Sequence, residues 1–263
     1  MTVIEELTVP PEGKATGCLP RVSRLGEEFP VYESKFSLIP RTGWPELIEE
    51  MQGKWLDGLV QKIKDQGSEG ACASNGGAQA VEVAGVIEHG ADDWVELSAM
   101  SLYKRVGRSD SSGSTIDGNL HELRENGILP VDTPENRERF EHVHPPRGFH
   151  VPLPRGWPTT GKLFAIDEWF DVASFDGLLT GLFRGFGALY GRKGHAIYGA
   201  RPVWKSGRFG LIYANSWDLD WRGADWLEPG FGVDWEWDVA PAIPRYGAWL
   251  VRSRVIPDFA LAG

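Results

Sequence analysis

A chain of 263 residues with 41% hydrophobic and 24% charged side chains has enough material for a sizeable buried core and is not a disordered polymer. Its formal charge of -10, from 37 acidic and 27 basic side chains, argues against a broad nonspecific nucleic-acid surface or a polybasic membrane contact. Two cysteines, Cys18 and Cys72, allow at most one bridge and exclude a disulfide framework.

The amino-terminal sequence has no basic segment followed by an apolar run, and no stretch approaches the apolar length of a membrane helix. The expectation is a soluble protein without a signal peptide, kept in a reducing compartment such as the cytoplasm, with neither nucleic acid nor membrane as partner. Residues 1–54 read as an extended arm broken by Pro10, Pro11, Pro20, Pro30 and Pro40, with a short helix from Trp44 to Met51 whose first turn tolerates Pro45. A partner protein that orders this arm is one expectation; docking on the body of the chain is another.

Residues 55–263 read as a second unit. From Ala73 to His89, Ala78, Val81 and Ala84 recur at helical spacing, and Gly90 supplies a stop. Ser74, Asn75, Gly76 and Gly77 are poor helix formers, so close packing around a central helix is needed to explain them. Further helices are predicted over Glu96 to Val106 and over Ile116 to Asn126, the latter ending before Gly127. Seven prolines between 130 and 160 mark a crossing segment between two lobes. Beyond it, a short helix is predicted over Ser174 to Arg184. Strands follow over Phe186 to Tyr190, Gly194 to Ala200 and Phe209 to Asn215, the last two joined through Lys205, Ser206 and Gly207.

The most informative local sequence is Gln66-Gly67-Ser68-Glu69-Gly70-Ala71-Cys72, followed at once by the central helix. A thiol at a helix N-terminus faces unsatisfied N–H groups and the positive end of the peptide dipoles, which favour the reactive thiolate. Far downstream, Gly194-His195-Ala196-Ile197 starts one strand and Ala214-Asn215-Ser216-Trp217 ends the next. Adjacent antiparallel strands bring His195 and Asn215 together, so that the amide orients an imidazole able to exchange a proton with Cys72. Singly, each reads as structural: Cys72 and Trp217 as core, His195 as a satisfied histidine, Asn215 as a strand terminus, Gln66 as a loop residue. Together they read as one device.

These residues resemble the papain-like cysteine peptidases, and the likeness covers about residues 55 to 230. Gln66 matches the family's oxyanion-hole glutamine, and His195 and Asn215 match its His-Ala and Asn-Ser-Trp motifs. Further matches are the lead-in Val60 to Gln66, Leu97-Ser98, Leu102-Tyr103, Asn126-Gly127-Ile128, and the tryptophans Trp217 and Trp221. The resemblance implies an α+β fold with a helical lobe, a sheet-rich barrel-like lobe and an active cleft between them. It also implies hydrolysis of peptide bonds in a peptide or protein substrate by a Cys72-His195-Asn215 triad, with Gln66 in the oxyanion hole and Trp217 shielding the His195 to Asn215 bond. Neither a cofactor nor a metal is implied.

The departures are specific. Glu69 stands where the family commonly has a disulfide cysteine, Ala73 where an aromatic follows the nucleophile, and Asp218 where glycine follows Trp217. Only four residues separate the strand ending at Tyr190 from His195, and the arm lacks the length and helical pattern of the family's inhibitory propeptides. Two other functions fit the same residues: a catalytically silent structural or binding module in a larger assembly, and an amidase acting on cell-wall peptides.

Elsewhere His142 and His144 read as exposed-loop residues without further ligands, because Pro145 and Pro146 follow. Asp92, Asp93, Glu46, Glu49 and Glu50 read as solvated faces. The late aromatics Trp204, Trp217, Trp221, Trp226, Trp235, Trp237 and Trp249 read mainly as sheet packing.

Overall fold

A computed structural model describes residues 11–166 and 168–252; the reading of the first ten residues as lacking a leader lies outside the described residues. The arm carries α1 (Trp44–Glu50), with Pro45 in its first turn. Tyr32, Trp44, Met51 and Trp55 are buried in the same apolar cluster as Leu178, Phe183 and Leu250. Residues 32 to 55 are thus anchored in the sheet lobe by the chain itself.

The helical lobe follows as α2 (Cys72–His89), α3 (Ala99–Val106) and α4 (Ile116–Asn126). The small residues early in α2 have the packing role expected of them. A Cβ on Gly76 would stand 2.4 Å from Leu189 Cδ1 and one on Gly77 3.0 Å from Leu123 Cδ1, so the helix runs close to both lobes. The predicted helix from Glu96 starts later because Ser98 caps it, its hydroxyl accepting the Ser101 N–H at 3.3 Å, while Leu97 bridges to Pro130. α4 has the predicted bounds, with Thr115 capping one end and Gly127 in a left-handed conformation (φ 68°) ending the other.

The proline-rich crossing segment holds two short helices, α5 (Pro134–Arg139) and α6 (Pro158–Gly161). It does not expose His142 or His144. His144 is fully buried, its Nδ1 near Ser98 Oγ (3.2 Å) and the Pro145 carbonyl (2.9 Å), and His142 is also buried. The exposed-loop expectation is corrected: the prolines end helices, but the segment lies against the start of α3, where His144 meets Ser98, while His142 Nδ1 is buried without a hydrogen-bond partner.

After β1 (Trp169–Asp171) and α7 (Phe175–Phe183) come β2 (Gly187–Arg192), β3 (His195–Lys205), β4 (Arg208–Ala214) and β5 (Phe231–Trp235). The chain continues through α8 (Glu236–Val239) and α9 (Ile243–Tyr246) to β6 (Ala248–Val251). The strands form one antiparallel sheet in the order β1-β6-β2-β3-β4-β5. It is open, with β1 and β5 as edges, rather than the closed form a barrel-like lobe would require. Two two-residue turns fix its centre. Lys193 and Gly194 join β2 to β3, and Ser206 and Gly207 join β3 to β4, all four with positive φ, the type I′ geometry that matches strand twist.

Of the late aromatics, Trp217, Trp221 and Trp249 are buried, whereas Trp204, Trp226 and Trp237 are exposed. The sheet-packing expectation holds for the first group and for the half-buried Trp235, which packs on Ile212 and Val233.

Candidate active site

The tight β2–β3 turn makes His195 the first residue of β3, opposite Arg192. The β3–β4 register pairs Tyr198 with Ala214, and continuing it past the strand end sets Asn215 to Trp217 beside His195. The side chains complete this arrangement. His195 Nε2 and Asn215 Oδ1 are 2.7 Å apart, and the Trp217 ring stacks on the imidazole at 4.4 Å between centroids and 25° between planes. A proton on Nε2 leaves Nδ1 as the free lone pair of the neutral ring, and Nδ1 is buried without a hydrogen-bond partner.

Cys72 begins α2 on the other side of the cleft and is fully buried. Backbone N–H groups of Ala196, Gly17, Ala73 and Cys72 itself point at its sulfur. Helix position alone predicts a depressed thiol pKa; the structure corrects this. Burial dominates and pushes Cys72 up to about 11, with those amides opposing the rise only in part. His195 moves the other way, down to about 4, because burial and the Arg192 charge disfavour its cation more than Asn215 supports it. At neutral pH both groups are therefore uncharged in this state.

Gln66 is held with its amide facing the cleft. Its Oε1 accepts the Ser216 hydroxyl at 2.5 Å, and its Nε2 donates to the carbonyls of Glu69 and Ala15, each at 2.9 Å. The second acceptor belongs to the amino-terminal arm. Residues 14 to 19 cross the cleft, held by both walls. Ala15 N donates to Gly67 O (3.3 Å), Gly17 N and Cys18 N to Gly194 O (3.0 and 2.8 Å), and Ser114 N to Gly17 O (2.8 Å). Trp217 Nε1 adds a bond to Ala15 O at 3.2 Å, so one arm carbonyl takes hydrogen bonds from two residues of the cleft.

The fit of the arm depends on the absence of a side chain at Gly17, where a Cβ would lie 2.2 Å from Gly70 O. Charge holds the segment's flanks. Lys14 pairs with Asp65 (2.8 Å) and with Asp218 (3.3 Å), the residue that departs from the family glycine. On the other flank Arg21 forms a two-pronged contact with Asp171, and Asp117 Oδ2 accepts from Val22 N, Ser23 N and Ser23 Oγ. Glu69 has its own structural use, accepting the amides of Gly148 and Phe149 at 3.1 and 3.2 Å.

The structure thus brings His195, Asn215 and Trp217 into contact and sets Cys72 and Gln66 across the same cleft. Sequence reasoning missed Lys14, Ala15 and Gly17. Their only local signal is a run of small residues after a lysine in a proline-rich arm. No group of side chains suited to holding a metal ion occurs among the described residues, and no helix among them is long and apolar enough to cross a membrane.

This two-lobed arrangement is the papain-like cysteine protease fold. Xylellain, a cysteine protease from Xylella fastidiosa, matches with a TM-score of 0.61 at 15% identity over 95% of this chain and 99% of that one. The digestive procathepsin L2 proteinase of Tenebrio molitor larval midgut also matches at 0.61 and 15%, over 90% of this chain and 78% of that one. A procathepsin B from Trypanosoma congolense matches at 0.56 and 14%, over 91% and 86%. No protein-family model and no curated protein sequence matches the chain.

Proposed function

We propose that the protein is a cysteine peptidase held in a latent form by its own residues 14 to 19. The observation that carries this reading is the 2.7 Å contact between His195 Nε2 and Asn215 Oδ1 under the Trp217 ring, opposite a cysteine that heads a helix. Asn215 fixes the tautomer that leaves Nδ1 as the base, and Trp217 keeps water from that contact. With the arm displaced, Cys72 gives its proton to His195 and its sulfur attacks the carbonyl carbon of a peptide. The developing oxyanion is met by Gln66 Nε2 and the Cys72 amide. His195 then donates the proton to the departing amine, and water activated by the same ring splits the thioester. The grip of Gln66 and Trp217 on the Ala15 carbonyl supports a site built to receive extended backbone.

A silent binding module is the competing reading, favoured by the full burial of Cys72. Labelling with a peptidyl thiol-reactive probe separates the two. A peptidase gives saturable labelling confined to Cys72 once the arm is displaced, and cleavage that disappears in Cys72→Ala and His195→Ala. A silent module gives labelling no faster than an ordinary exposed thiol, with or without the arm.

A further inference from the structure

Both cysteines of the chain are free and buried, and they lie in one apolar cluster although one is in the arm and the other heads α2. Their placement on the sheet is closer still. Cys18 Sγ packs against Gly191, only 2.8 Å from where a Cβ on that glycine would stand, beside Ile116 and Tyr246. Gly191 is the ladder partner of Ala196, and the Ala196 amide points at Cys72 Sγ. Cys18 and Cys72 thus pack against the two members of one rung of the β2–β3 ladder. Gly17, the residue before Cys18, lies on Gly70, two residues before Cys72: a Cβ at Gly17 would stand 2.2 Å from Gly70 O and 2.7 Å from Gly70 Cα. The arm and the start of α2 therefore touch at the residues beside the two thiols, the close approach that a disulfide, with Cα atoms within about 7 Å, requires.

We propose that Cys18 and Cys72 form a redox latch, in which two-electron oxidation by a peroxide joins their sulfurs and fastens the arm over the cleft. The Cys72 thiolate attacks one oxygen of hydrogen peroxide, forming a sulfenic acid, and the other oxygen leaves as water after taking a proton. The Cys18 sulfur then attacks the sulfenic sulfur and displaces its hydroxyl, which leaves as a second water with the Cys18 proton. Two thiols and one peroxide give one disulfide and two waters. A dithiol reductant reverses the bond by exchange. Burial of both thiols slows the first attack while the arm is docked, so the sulfenic acid forms when the segment lifts and is captured when it returns. The arm's return also limits over-oxidation of Cys72. The regulatory consequence rests on the peptidase reading; the bond itself does not.

The test treats full-length reduced protein with stoichiometric hydrogen peroxide, blocks remaining thiols with N-ethylmaleimide and maps non-reduced tryptic peptides by mass spectrometry. The expected product is a monomer lighter by two hydrogens, with peptide 15–21 linked to peptide 65–104 and both free peptides restored by dithiothreitol. In Cys18→Ser given at least two equivalents of hydrogen peroxide, Cys72 is expected to advance to sulfinic acid that dithiothreitol does not reverse. The latch is overturned if wild-type Cys72 is over-oxidised while Cys18 remains a free thiol, if neither cysteine reacts, or if the only linkage joins two chains. Saturable probe labelling of the reduced protein is read separately. Its absence beside an intact 18–72 linkage overturns the peptidase reading alone, and its presence without the linkage overturns the latch alone.

Discussion

At the scale of single residues, protonation is set by what covers the site. His195 is held down to about 4 by burial while the arm is docked and moves up toward its ordinary value when water reaches it, so the open state takes up the extra proton as pH falls toward 4. Docking is therefore weakened as pH falls toward 4. Asp117 acts in the same sense at lower pH. Burial would raise its pKa, but hydrogen bonds from Thr115, Ser23 and Val22 outweigh this and hold it below the usual value, so its grip on the arm is lost on acidification. The accessible fraction of Cys72 should accordingly be larger at pH 5 than at pH 7, read by maleimide capture in pH-jump pulses against a Cys72→Ala control. No increase would show that the arm is held by contacts indifferent to charge. Gln66→Ala removes the partner of Ser216 Oγ and the oxyanion donor that the proposed reaction requires. Turnover should drop about 100-fold or more in kcat, roughly 3 kcal/mol, with the fold retained by circular dichroism.

At the scale of elements, the arm and α2 depend on close approach. Gly17→Val places methyl groups where Gly70 O already stands, so residues 14 to 19 should lift while Arg21 and Ser23 keep the remainder attached. Cys72 should then alkylate at least tenfold faster than in the parent chain; an unchanged rate would show that the segment does not gate the thiol. Within α2, Glu82 is buried beside Lys64 and accepts the Leu97 N–H at 2.5 Å, joining the helix to the segment that leads to Gln66 and to the start of α3. Glu82→Ala leaves a buried ammonium without its carboxylate and should cost about 3–5 kcal/mol in urea unfolding.

At the scale of the whole molecule, the first 55 residues serve two purposes. Residues 14 to 19 cover the cleft, whereas Tyr32, Trp44 and Trp55 fill the sheet lobe. A chain beginning at residue 21 keeps those anchors and the Arg21–Asp171 pair, and its melting temperature should stay within a few degrees of the parent's. A chain beginning at residue 56 loses four buried aromatics, Phe29, Tyr32, Trp44 and Trp55, each worth about 1.5–3 kcal/mol of burial, and should fail to give a cooperative melt. Equal stability of the two would show that the arm is an attachment rather than part of the core.

Local pattern carried much of this fold. The apolar spacing and the stops at Gly90 and Gly127 located α2 and α4, and the positive-φ pairs at 193–194 and 206–207 fall between strands recognisable from their own residues. Hairpin register then brought His195 and Asn215 together, because two-residue turns leave little freedom in pairing. Properties that depend on distant chain segments were not legible. The burial of His142 and His144 depends on where the crossing segment lies. The high pKa of Cys72 depends on exclusion of water, which overrides the helix-end effect visible in sequence. The path of the arm follows from glycine and small-residue contacts between segments far apart in the chain, which no periodicity encodes. The sequence by itself determined α1 to α4, α7, the strands β2 to β4 and the identity of the chemical groups, since these follow from short-range spacing, whereas β1, β5 and β6 were set by pairing with distant segments. Only the tertiary structure decided which groups are dry, which are charged and what lies across the cleft, because desolvation and close packing are set by residues distant in the chain.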